Sequence, residues 1–255
     1  MPLDRDRLDL LLALTDLTSL ELTDTPESIA GLCARALRPD PEDPSCPPVA
    51  AVCVYPQLVK VAAAELAGSG IAVASVVGNF PSGVAAAAAK AAEAEQAVAD
   101  GATELDLIVD HVAFTAGDTQ RLTDDVAAVR AVSPGIRLKV ILETGALAGP
   151  VPVRLAADLA LEAGADMLKT STGKGHPGAA PAAAAVLLDA VAEFAVRRGR
   201  QPGVKVSGGV RTPETAMAYL AQAESMLPTP LTPATFRIGA STLVTALVEQ
   251  RRLLS

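Results

Sequence analysis

Asp166-Met167-Leu168-Lys169-Thr170-Ser171-Thr172-Gly173-Lys174 is a short apolar run that carries a lysine and passes at once into a Thr/Gly/Lys loop. It predicts a buried strand with Lys169 at its C-terminal end. An ammonium placed in an apolar run is costly, because burial disfavours the charged form. A neutral amine in such a place is a nucleophile that can condense with a carbonyl to form a Schiff base. The plainer alternative is a strand-end lysine whose head snorkels to solvent.

Working outward, Gly203-Val204-Lys205-Val206-Ser207-Gly208-Gly209-Val210-Arg211 repeats the pattern. Lysines on neighbouring strands of one barrel face each other, and each disfavours the other's charge. On this reading Lys205 is the cation that keeps Lys169 neutral near neutral pH.

The rest of the chain alternates in the same way. An amphipathic helix over 4–13 precedes a short strand at 14–18, and Thr25-Pro26-Glu27-Ser28 opens a helix with Thr25 as its cap. A proline-rich loop follows at 38–48. Strands are predicted at 49–55, 71–77, 104–110, 138–143, around Lys169, around Lys205 and at 236–239. Their continuous apolar, β-branched character marks strands buried on both faces. Helices fall between them: 56–67, a long alanine-rich one capped by Ser82 and ending near Gly101, 118–132, 150–163, 181–198, one opened by Thr212-Pro213-Glu214, and a last one opened by Ser241. Eight strand–helix units predict the α/β class: a parallel (β/α)8, or TIM, barrel with an extra N-terminal helix, as a single domain over 1–255.

Composition excludes several classes. Half of the 255 residues are hydrophobic, which supplies a sizeable core, yet there is no Trp and only two Tyr and four Phe. The net charge of −8 argues against a nucleic-acid surface, although local lysines can still serve a small anion. Cys33, Cys46 and Cys53 are an odd number, and the charged start Met1-Pro2-Leu3-Asp4-Arg5-Asp6-Arg7 is not a secretory pattern. Reduced thiols and a cytoplasmic location are the expectation. No apolar run reaches the length of a membrane span.

Polar residues at strand C-termini are the site candidates in such a barrel. Alternation in Glu104-Leu105-Asp106-Leu107 puts both carboxylates on one face. A carboxylate in a core strand needs a partner, so Asp106 is assigned to the lysines, as an acid/base relay or as their structural counter-charge. Three glycine loops near the last strands, Thr172-Gly173-Lys174, Gly208-Gly209 and Gly239-Ala240-Ser241, offer backbone N–H groups to a phosphate, and Lys174 adds a charge. Each could be a tight turn alone; their convergence predicts an anion pocket. His176 is placed in a loop near that pocket and His111 at a strand end on its rim. No metal-ligand spacing and no nucleotide fingerprint occurs, so no metal and no cofactor is expected.

The segments 16–20 (Asp-Leu-Thr-Ser-Leu), 51–56 (Ala-Val-Cys-Val-Tyr-Pro), 77–81 (Val-Gly-Asn-Phe-Pro), 104–106 (Glu-Leu-Asp), 139–145 (Lys-Val-Ile-Leu-Glu-Thr-Gly), both lysine stretches and 237–241 (Arg-Ile-Gly-Ala-Ser) run in one order along nearly the whole chain. In these the chain resembles the deoxyribose-phosphate aldolases, which are class I aldolases. The resemblance implies reversible cleavage of 2-deoxy-D-ribose 5-phosphate to D-glyceraldehyde 3-phosphate and acetaldehyde, in deoxyribonucleoside catabolism. It assigns the Schiff base to Lys169, with Lys205 lowering its pKa and Asp106 moving protons. It also brings in Asp16, which would hold a substrate hydroxyl, orient a lysine or make a plain ion pair, and Cys53, which would line the pocket and react with aldehydes. Thr172, Gly173, Lys174, Gly208, Gly209 and Ser241 would hold the phosphate. A related aldolase for another sugar phosphate and an inactive barrel binding a phosphorylated metabolite are the alternatives. The expected partners are a sugar phosphate and a second copy of the chain, such as in a dimer, with no nucleic acid and no membrane. Some bacterial members end in a tail whose terminal tyrosine reaches the active site. This sequence reads Arg251-Arg252-Leu253-Leu254-Ser255 there, so another group is expected to supply that proton transfer.

Overall fold

In a computed structural model, residues 3–254 are described. Met1, Pro2 and Ser255, which belong to the opening and closing segments read above, lie outside the described residues. The chain begins with α1 (Arg5–Ala13), capped by Asp4, whose side chain accepts from the Arg7 N–H. Eight strands follow: β1 (Thr15–Thr18), β2 (Ala51–Val54), β3 (Ala72–Val77), β4 (Glu104–Ile108), β5 (Arg137–Ile141), β6 (Met167–Lys169), β7 (Gly203–Ser207) and β8 (Phe236–Ala240). They pair in chain order, all parallel, and β8 closes onto β1. The predicted (β/α)8 barrel with an added N-terminal helix is therefore the fold.

The outer coat is α2 (Pro26–Leu37), α3 (Val59–Glu65), α4 (Ala87–Ala99), a short α5 (His111–Thr115), α6 (Thr119–Val132), α7 (Pro150–Glu162), α8 (Pro181–Arg198), α9 (Pro213–Met226) and α10 (Leu243–Arg252). Local chemistry sets the starts. Thr25 and Ser28 form a reciprocal capping box, and Thr212 and Asp118 accept from the third residue onward. One apolar layer lies between strands and helices, built from Leu, Val and many Ala such as Ala94, Ala97, Ala156, Ala157 and Ala160. Alanine brings helices close to the sheet at no helix-propensity cost. Leu8, Leu11 and Leu12 of α1 join this layer, and the Thr15 hydroxyl donates back to the Leu11 carbonyl at 2.7 Å.

Three local readings are corrected. Ser82 does not cap α4; its hydroxyl is spent on a turn, accepting from the Asn79 side-chain amide at 3.0 Å and from the Val84 N–H at 3.2 Å. The helix starts later, at Ala87. Ser241 does not open α10, which begins at Leu243 after Thr242. His111 is not a strand end: it starts α5, because Asp110 turns the chain by accepting from the Ala113 N–H at 2.9 Å.

Candidate active site

Closure of the barrel sets the register of the charged strand residues. Lys169 is the register partner of Lys205, Lys205 of Arg237, Asp106 of Lys139, and Asp16 of Gly239. A period of two sends these side chains to one face of their strands while their neighbours enter the helix layer. The result is a buried charged stack: Asp16, Glu104 and Asp106 with Lys139, Lys169, Lys205 and Arg237, each at most 5 % exposed. Cys53, Ala74, Val76 and Leu20 form a small apolar cluster of their own, flanked by Tyr55 and Phe80, and the Cys53 thiol lies 3.9 Å from an Asp106 oxygen.

Asp106 is the hub. Its Oδ2 accepts from Lys169 Nζ at 2.7 Å and from Lys205 Nζ at 2.7 Å, and its Oδ1 from Lys139 Nζ at 2.7 Å. The four cations are not equally provided for. Lys139 also meets Glu104 at 2.6 Å and Asp16 at 3.5 Å. Lys205 also meets Asp16 at 2.6 Å. Arg237 pairs with Asp16 and with Glu104. Among the described residues Lys169 has Asp106 alone.

The pKa directions follow that partition. Burial pulls Lys169 down, Asp106 opposes, Lys205 adds to the depression, and the net shift is downward. Burial also pulls Lys139 and Lys205 down, but Asp106 with Glu104 in one case and with Asp16 in the other outweighs it, and both amines are raised. Asp16 and Asp106, which burial alone would raise, are held well below the usual carboxylate range by the cations around them. The expectation that Lys205 keeps Lys169 neutral is thus sharpened: burial is the leading cause, Lys205 the second depressing one. Burial also pushes the Cys53 thiol up, with Asp106 adding to it.

Lys169 reaches a cleft of about 280 Å³ at the C-terminal end of the strands. Thr172, Gly173, Lys174, Gly208, Gly209 and Ser241, all singled out in the sequence, line it; Lys205, Asp106, Asp16 and Cys53 do not and lie deeper. Two close backbone approaches build its wall. A Cβ on Gly178 would stand 2.2 Å from the Gly208 carbonyl oxygen, so the loops after β6 and β7 pack main chain to main chain. A Cβ on Gly239 would stand 2.9 Å from Cε of Lys205, so glycine there makes room for the lysine. The Thr172 hydroxyl donates to Glu143 and accepts from the Lys174 N–H at 3.0 Å, which fixes the first loop. Lys174 Nζ spans the cleft mouth to Glu21 at 3.1 Å.

Several residues of this region were not anticipated. Lys139 and Arg237 lie between apolar neighbours in their strands, as Lys169 and Lys205 do, and that same signal marks them. Arg211 lines the cleft, with a glycine pair two residues before it. Glu143 holds a left-handed backbone (φ 49°) while accepting from Thr172, a conformation with no local sequence signal. His176 is not among the cleft residues: it stacks edge-on against His111 at 5.3 Å between ring centres. Burial, with an opposing contribution from Glu143, lowers His111.

The fold and its amine-bearing, carboxylate-lined interior define an enzyme of the parallel α/β-barrel class. The chain belongs to the DeoC/LacD family of aldolases, whose family model matches residues 8–243. It is 41 % identical over 240 residues to the deoxyribose-phosphate aldolase of Agrobacterium fabrum, covering 93 % of this chain and 88 % of that one. It is 37 % identical over 246 residues to the human deoxyribose-phosphate aldolase, covering 92 % and 77 %. It superposes with a TM-score of 0.73 on the tetrameric deoxyribose-phosphate aldolase from Aeropyrum pernix, at 26 % identity, covering 99 % of this chain and all of that one. Among the described residues no helix is long and apolar enough to cross a membrane.

Proposed function

We propose that this aldolase cleaves 2-deoxy-D-ribose 5-phosphate reversibly to D-glyceraldehyde 3-phosphate and acetaldehyde, with Lys169 as the Schiff-base lysine. The observation that carries this is the position of Lys169: of the four cations in the stack it alone lines the cleft, and among the described residues it alone has a single carboxylate partner. In its neutral form the amine adds to the C1 carbonyl of the open-chain sugar, and loss of water leaves a protonated imine. A base takes the proton of the C3 hydroxyl, the C2–C3 bond breaks, and its electron pair flows to the imine nitrogen. Glyceraldehyde phosphate departs and an enamine remains. Protonation at C2 and hydrolysis release acetaldehyde and restore the amine. Asp106 Oδ2 accepts from both Lys169 and Lys205, and Asp106 and Lys205 serve these proton transfers through water. Asp16 fixes Lys205, and Cys53 lies deeper, with its thiol 3.9 Å from Asp106.

The phosphate is assigned to Thr172, Gly173, Lys174, Gly208, Gly209 and Ser241, with Arg211 added. An anion there takes Lys174 from Glu21. A cytoplasmic enzyme that forms a homo-oligomer, the dimer being the smallest, is the wider reading; the tetramer of the Aeropyrum relative supports assembly, and sedimentation of the purified protein measures it.

Borohydride reduction in the presence of acetaldehyde tests the chemistry. A reduced adduct on the peptide that contains Lys169, absent from the Lys169→Leu protein, is expected. An adduct confined to other lysines, or none at all, overturns the assignment.

A further inference from the structure

The opposite mouth of the barrel, at the N-terminal ends of the strands, holds a second concavity of about 410 Å³. Arg130, Arg137 and Arg200 line it around Asp166. Three guanidinium groups stand against one lining carboxylate, in a chain whose net charge is −8, and the Glu104 that Arg137 also meets at 3.2 Å is shared with Lys139 and Arg237. The acidic partner is already provided for without Arg200: Asp166 Oδ2 accepts from Arg130 at 2.6 Å and from the Leu138 N–H at 2.9 Å. Arg130 is spent on structure, since its remaining donors go to the carbonyls of Gly164, Ser133 and Ile136.

The other two arginines are held but not used up. Arg137 donates through Nη1 alone, to Glu104 at 3.2 Å and to the Pro233 carbonyl at 3.2 Å. Arg200 donates to the Ala165 carbonyl at 3.1 Å and weakly to Asp166 at 3.4 Å, and its guanidinium lies 5.1 Å from the Phe194 ring centre. Nε and Nη2 of Arg137 and Nε of Arg200 meet no acceptor among the described residues. A planar fork fixed on one side with N–H groups free on the other suits the oxygens of a phosphate, which it can bind in pairs.

We propose that this lower mouth is a binding site for a phosphate-class oxyanion, seated between Arg137 and Arg200 and separate from the cleft above Lys169. Inorganic phosphate and the phosphate group of a small organic ester present the same oxygens, and affinity distinguishes them. Crystals soaked in tungstate, a tetrahedral oxyanion with a strong anomalous signal, should show it between Arg137 and Arg200. In solution, Ser241→Glu places a carboxylate in the upper cleft and leaves the lower mouth as the anion site. Titration calorimetry of that protein with inorganic phosphate and with glycerol phosphate should detect binding that Arg200→Gln weakens by roughly tenfold or more. Tighter binding of glycerol phosphate assigns the site to an organic ester, and equal binding to the inorganic ion. No tungstate at the lower mouth at saturation overturns the proposal. So does an affinity unchanged by both Arg200→Gln and Arg137→Gln.

Discussion

The barrel interior and the layer between barrel and helices are both buried, yet they are filled in opposite ways. The outer layer is Leu, Val and Ala with one fully buried ion pair, Lys90 with Asp125 at 2.6 Å. That pair has structural duties: Lys90 also donates to the Ile108 carbonyl at 3.1 Å, and Asp125 accepts from the Asp110 N–H at 2.9 Å. The interior holds seven charged groups in mutual contact, and one of them opens onto a cleft. Buried charge is a weak source of stability, because desolvation consumes most of the Coulomb attraction. The outer pair ties β4 to the helices beside it. The inner stack is larger than any such tie requires, and its excess lies on the side that opens onto the cleft.

Four substitutions can break or sharpen this contrast. Lys169→Leu should abolish cleavage, by on the order of 10⁴-fold or more, while the protein still unfolds cooperatively; a steady-state assay beside a thermal melt reads both. Lys205→Leu should cost about 10²–10⁴-fold in kcat, the scale of a lost proton-transfer partner. It also removes a like charge and frees Asp106 for Lys169, both of which raise the Lys169 pKa. If Lys169 acts as the neutral amine, as proposed, the acid limb of the rate–pH profile should move to higher pH; an unmoved limb removes Lys205 from that role. Lys90→Met should lower stability by about 1–3 kcal/mol, because Asp125 loses its fully buried partner and keeps, among the described residues, only Arg121 at 3.2 Å and the Asp110 N–H, yet leave kcat per folded molecule within about twofold. A large loss of kcat there would erase the distinction between the two layers. Lys174→Ala should raise KM several-fold with kcat within about twofold, because an exposed charge on a mobile arm contributes on the order of 1 kcal/mol; a fall in kcat without a change in KM would move Lys174 out of the anion pocket.

The barrel was legible because its signals are local. Apolar runs bounded by glycine and proline mark strands, and Thr25, Asp118 and Thr212 mark helix starts on their own side chains. Lys169, Lys205 and Asp106 were legible as charged residues in apolar strands. The partition of charge among them was not, because it depends on contacts that only closure creates: Asp16 and Lys205 touch across 189 residues of sequence. Lys139 and Arg237 carried the same in-strand signal, and Gly239 follows Arg237 by two residues, but their place in the charged stack depends on the same closure. Ser82 and Ser241 misled because a hydroxyl next to a helix serves a turn or a cleft equally well. The hold of Glu21 on Lys174 joins the first and sixth strand–helix units, a meeting that no local pattern announces.

The stack has one further consequence. Three carboxylates neutralise three of its four cations, so the interior is electroneutral only while the nitrogen of Lys169 bears no proton. On the proposed mechanism the iminium carries the one charge in excess of that balance, and carbon–carbon scission, which turns it into a neutral enamine, discharges it. The same imbalance returns when the enamine takes its proton, and hydrolysis relieves it again, so the carboxylate count biases each charged intermediate toward leaving.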